Sequence, residues 1–159
     1  MVDDSETPAH ALDDEADRKE LRDRYYGLMQ ELRIVLPGVQ FLGAFLLTVP
    51  FAQRFSEVDD VGRVLFGLAL ASAILSAVAF ITPTALHRFG ERTARAERLA
   101  LSILMMRAGL LLLGVALTLS LTVVARFLYD TAMAVVLVAV VATGIVGLWV
   151  VLPLATRRK

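Results

Sequence analysis

Apolar residues gather into four runs of about twenty along this chain, with short polar or charged segments between them. The runs cover about 34–52, 64–81, 106–125 and 131–152. Nineteen residues, as in the first run, reach about 28 Å as a helix, enough for the hydrocarbon layer. The pattern predicts an all-α fold, a bundle of four transmembrane helices. Pro37-Gly38 near the start of the first run predicts a kink, and Thr82-Pro83-Thr84 closes the second run.

Before the first run the periodicity is different. Leu21, Tyr25, Leu28 and Leu32 recur at steps of four, three and four, which predicts an amphipathic helix over 13–33. Asp13, Asp14, Glu15 and Asp17 crowd its start, where the helix dipole favours negative charge. An acidic helix beside an anionic leaflet fits a partner helix better than the membrane surface. Residues 1–12 are polar and acidic and are expected to be disordered. The N-terminus has no apolar run before Ile34, so the first span is expected to act as the targeting signal rather than a cleaved peptide.

Small residues mark expected contact faces between helices. Ala69, Ala73 and Ala77 form a stripe on the second span, with Ser72 and Ser76 beside it. Ala139, Thr143 and Gly147 form another on the fourth. In lipid, helices associate by close packing, and small side chains let backbones approach. Gln40 is the strongest polar group inside a span and is expected to make an interhelical hydrogen bond that fixes packing.

Charge decides the orientation. Net charge is zero, but ten of the sixteen acids lie in the first 31 residues. The N-terminal segment carries five Lys/Arg, the middle loop four and the basic tail 153–159 three. The two opposite loops together carry three, Arg54, Arg63 and Arg126. Positive charge stays on the cytoplasmic side, so both termini are expected there, in a bacterial plasma membrane. Arg88, Arg92, Arg95 and Arg98 follow helical spacing, and with His87 they predict a stripe at the headgroups that sets topology or binds anionic lipid. Arg107 falls at the boundary of the third span, where it can reach the same layer. A nucleic-acid role is not expected.

Composition adds exclusions. The chain is 57% hydrophobic with a mean hydropathy of +0.68, beyond what a soluble fold of 159 residues can bury. It has no cysteine, which removes disulfides, thiolate catalysis and Cys-based metal sites. No P-loop, HExxH or GxSxG pattern is present, so neither an enzyme nor a cofactor or metal site is expected. Adjacent Asp59 and Asp60 are weak candidates for a cation. The four runs hold no Asp, Glu, His or Lys, so the groups that ion-coupled transport generally uses are missing.

Several strings carry a family resemblance: Glu31-Leu32-Arg33, Gly38-Val39-Gln40, Phe45 to Phe51 and Arg54-Phe55, then Asp59-Asp60 and Pro83 to Arg88. Over about 25–125 the chain resembles the DUF6328 type, small four-span actinobacterial membrane proteins of unknown function. Pro37 stands where that resemblance leads to a non-proline residue. The resemblance implies topology without mechanism. The expected function is a non-catalytic membrane subunit that self-associates or joins a larger complex. The alternatives are an oligomeric channel or transporter and an anionic-lipid-binding protein.

Overall fold

The computed structural model describes the backbone of residues 9–89 and 95–156. Among the described residues there are helices and turns and no strand. Helix α1 runs Ala9–Thr48, α2 Asp60–Phe89, α3 Arg95–Leu128 and α4 Thr131–Val146. A short α5, Leu152–Thr156, continues α4 through one widened turn at Gly147–Val151. Pro153 causes that widening, because it cannot donate to the carbonyl of Trp149 and its ring crowds that carbonyl. Four stretches are long and apolar enough to cross a membrane: Leu32–Phe51, Asp60–Ala85, Ala100–Leu128 and Thr131–Thr156. The chain is a multi-pass, four-helix membrane bundle.

Helix α1 begins at Ala9, inside the stretch 1–12 expected to be disordered, and runs unbroken past Pro37. No joint separates the N-terminal segment from the first span. Pro37 and Gly38 both lie on the exposed side, where the proline ring crowds no neighbouring helix. The helix stops before Pro50, which sits in the tight turn Val49–Phe51, and the Thr48 hydroxyl donates to the Phe45 carbonyl at 2.7 Å.

Helices α2 and α3 form the central pair. α1 packs mainly on α2, and α4 packs on α3 without reaching α1 or α2. Gly62, Phe66, Ala69, Ala73, Ser76, Phe80 and Pro83 of α2 are buried in one row, with Ala79 buried beside it. Their alternating steps of three and four make the 3.5-residue repeat that keeps a seam facing its partner in left-handed packing. The fourfold stripe read from the sequence is therefore out of phase at its end: Ala77 is half-buried, and Ser76 sits at the centre. On α3, Ser102, Gly109 and Ala116 are buried at intervals of seven. Leu32, Val39 and Leu46 repeat the same interval on α1.

Close approach of α2 and α3 centres on Gly109. The Ser76 hydroxyl donates to the Gly109 carbonyl at 2.8 Å, and the Phe80 ring occupies the space beside the glycine. A Cβ at Gly109 would lie 2.9 Å from that ring. Leu32, Val39 and Phe80 pack around this point, while Leu46, Phe66, Ala73 and Ala116 form a second cluster nearer the short loop. Gly114 is the matching small site for α4, since a Cβ there would meet Ile145 at 3.0 Å and Trp149 at 3.7 Å.

Replacing Gly109 tests this seam. Gly109→Leu is expected to cost about 2 kcal/mol or more by overpacking, read as a lower Tm in detergent. Gly67→Ala, on an exposed side with nothing within 4 Å of the new methyl, should hold Tm or raise it slightly.

Candidate functional site

Among the described residues, side-chain ion pairs concentrate at the end of the bundle formed by 52–59 and by the α3–α4 turn. The segment Gln53–Glu57 is a tight helical turn, followed by extended Val58. Phe55 anchors it from below, edge-on to Phe66 at 5.2 Å between ring centres. Asp59 then opens α2: its Oδ1 accepts the Gly62 N–H at 2.9 Å, and its carbonyl accepts the Arg63 N–H at 2.9 Å. Its other carboxylate oxygen accepts from Arg126 at 2.9 Å, which ties the first loop to the end of α3.

Arg54 makes the second tie. It donates to Glu57 at 3.0 Å, and its guanidinium stacks 4.8 Å from the centre of the Phe127 ring. Arg63 reaches back to the Ser56 carbonyl at 3.1 Å. At the next turn, Asp130 caps α4 by accepting the Met133 N–H at 3.0 Å. These elements surround an open cavity of about 770 Å³ between the first loop, the end of α3 and the start of α4.

The chemistry of that cavity is balanced. Two guanidinium groups face two carboxylates, each already paired, and Tyr129 and Thr131 complete a polar rim. The Gly62 N–H first, and with it the Arg126 guanidinium, holds the Asp59 carboxyl below its ordinary value of 3.8, against the opposing effect of desolvation. Asp59 therefore serves as a cap and a tether. Both of its oxygens are engaged, which leaves the Asp59-Asp60 pair a poor cation holder. Among the described residues no group of three or more potential metal-ligating side chains occurs.

The residues singled out from the sequence fall in different places. Ala69, Ala73 and Ser76 are buried in the α2–α3 seam, with Ser72 and Ala77 at its margin. Ala139 and Thr143 are exposed and Gly147 is half-buried, on the side of α4 that α3 does not fully cover. Gln40 is exposed on α1, and its amide has no hydrogen-bond partner among the described residues. Arg107 is exposed on α3. Leu32 is buried against α2 and α3. The side chains of Leu21, Tyr25, Leu28, His87, Arg88, Arg92, Arg95 and Arg98 lie outside the described residues.

Sequence reasoning missed the Asp59–Arg126 tether, whose partners stand 67 residues apart. The local sign was available: aspartate three residues before Gly62, at the start of an apolar run, is the spacing of a helix cap. A sequence model described as a family of unknown function, DUF6328, matches residues 14–153. The chain belongs to the DUF6328 family. Comparison with curated proteins and with solved structures gave no match. In this DUF6328 chain the match takes in the first three spans, the fourth as far as Pro153, and the Asp59–Arg126 tether.

The tether has a defined pH signature. A carboxyl held below its unfolded value stabilises the fold fully above that value and loses the effect as pH falls through the folded one. Asp59→Ala should therefore lower Tm in detergent by a constant amount well above pH 3.8, and the gap should close below it. Arg126→Gln should show a smaller version of the same profile, because the Gly62 cap remains.

Proposed function

We propose that this chain is a non-catalytic membrane subunit that self-associates or serves as an accessory part of a larger membrane complex. The observation that carries the reading is the state of α4. Among the described residues it packs on α3 and on no other span, and Ala134 is its one buried residue. Gly114 of α3 brings α4 close on one side, while Thr143 remains exposed on the other and Ala139 is exposed at the edge of the cavity. A helix with small residues on an uncovered face is suited to close approach by another helix in lipid.

The Lys/Arg distribution supports a plasma-membrane placement with both termini cytoplasmic. In that orientation the Asp59–Arg126 tether and its cavity face the outer surface. The uniform lack of Asp, Glu, His and Lys in the four runs supports a structural role over ion-coupled transport. An oligomeric channel is the second reading, favoured by Gln40 on an uncovered face of α1. Flux through reconstituted vesicles that is lost in Gln40→Leu would select it.

Purification in mild detergent followed by native mass spectrometry tests the leading reading. Masses at multiples of 17.3 kDa, or a stoichiometric complex with one further membrane protein, are expected. A 17.3 kDa monomer alone, across detergents, would overturn it.

A further inference from the structure

The amide of Gln40 sits in the middle of the membrane on an open helix face. Gln40 lies eight residues after Leu32 and eleven before Phe51, the limits of the first span. At 1.5 Å per residue it is about 12 Å from one edge and about 16 Å from the other. An amide left without a partner in hydrocarbon costs several kcal/mol on scales where nothing can compensate. Three threonine hydroxyls in the spans answer this demand locally, Thr82 donating to Val78, Thr118 to Gly114 and Thr122 to Thr118, whereas those of Ser102 and Ser120 do not. Gln40 has no such bond among the described residues.

The surroundings of Gln40 have a repeat of their own. Arg33, Pro37, Gln40, Ala44 and Leu47 are all exposed, and they follow one another at steps of four, three, four and three. The adjoining exposed row Ile34, Gly38, Phe41, Phe45 and Thr48 has the same spacing, and among the described residues neither row meets another helix; Gln40 is what distinguishes the first. Ala44, one turn from Gln40, leaves room for another backbone. Arg33 falls at the membrane edge, where its long side chain can turn to the headgroups.

We infer that this face of α1 pairs with the same face of a second copy, through reciprocal hydrogen bonds between the two Gln40 amides. Two features select a second copy. A carboxamide carries both a donor and an acceptor, so it is complementary to itself. Copies inserted with one topology hold Gln40 at one depth, so a parallel pair about a twofold axis brings the amides together without adjustment. A single polar residue in an otherwise apolar seam also fixes register. The inference rests on the reading of the chain as self-associating and names the helix that does it.

Single-cysteine crosslinking in native membranes tests it, because the chain has no cysteine of its own. Oxidation should crosslink Ala44→Cys and Leu47→Cys as dimers, while Phe45→Cys, exposed on another face of α1, stays monomeric. Gln40→Leu, which removes a polar group from lipid and so threatens no fold, should weaken dimerisation about 10-fold, and Gln40→Asn should weaken it less. Dimers that crosslink at Val140→Cys and ignore Gln40→Leu would overturn the α1 pairing and leave self-association standing. Crosslinks from Ala44→Cys to a different protein would overturn it as well. A monomer under all conditions would overturn both.

Discussion

A helix in hydrocarbon gains little by covering its apolar side chains with those of another helix, because lipid tails are as apolar as leucine. What holds such helices together is close contact, and close contact requires small residues where backbones meet. In this chain that requirement falls on α2 and α3. Ala69, Ala73 and Ser76 on one side meet Gly109 and Ala116 on the other. Phe80 enters the space a side chain at Gly109 would fill, and Ser76 supplies a hydrogen bond in the same place. With this pair in register, α1 has a surface for Leu32, Val39 and Leu46, and α4 has one at Gly114.

The two outer helices carry the functional argument because each belongs to the bundle on one side only. The polar end of the bundle serves a different purpose. Asp59 caps α2 and holds Arg126 of α3, while Arg54 lies against Phe127, so the first loop is tied to α3 where its chain turns toward α4. These bonds sit at the margin of the apolar layer, where water screens them. They position helix ends more than they drive association.

Helix number and family were legible in the sequence, since twenty-residue apolar runs and the strings around Gly38-Val39-Gln40 are long-range patterns that tolerate local error. The facing of each helix was harder to read. In a soluble helix, polar and apolar positions separate the outside from the inside, but in these spans both sides are apolar. Small residues were the remaining sign, and the second span offers two overlapping ones. Ala69, Ala73 and Ala77 suit steps of four, whereas the structure uses Ala69, Ala73 and Ser76. The choice depends on Phe80 and Gly109, a contact across two helices that no stretch of α2 encodes alone. Pro37 misled for a related reason: a proline on the outer face of a packed helix can be absorbed without a break. The Asp59–Arg126 bond was out of reach because its partners meet only after α2 and α3 have folded back on each other.

Four crossings of one membrane put the first loop and the C-terminal helix on opposite sides. Labelling of single-cysteine variants in intact cells with a membrane-impermeant maleimide measures this directly. Ser56→Cys should be labelled from outside, and Thr156→Cys only after the membrane is opened. Equal labelling of both from one side would contradict the account.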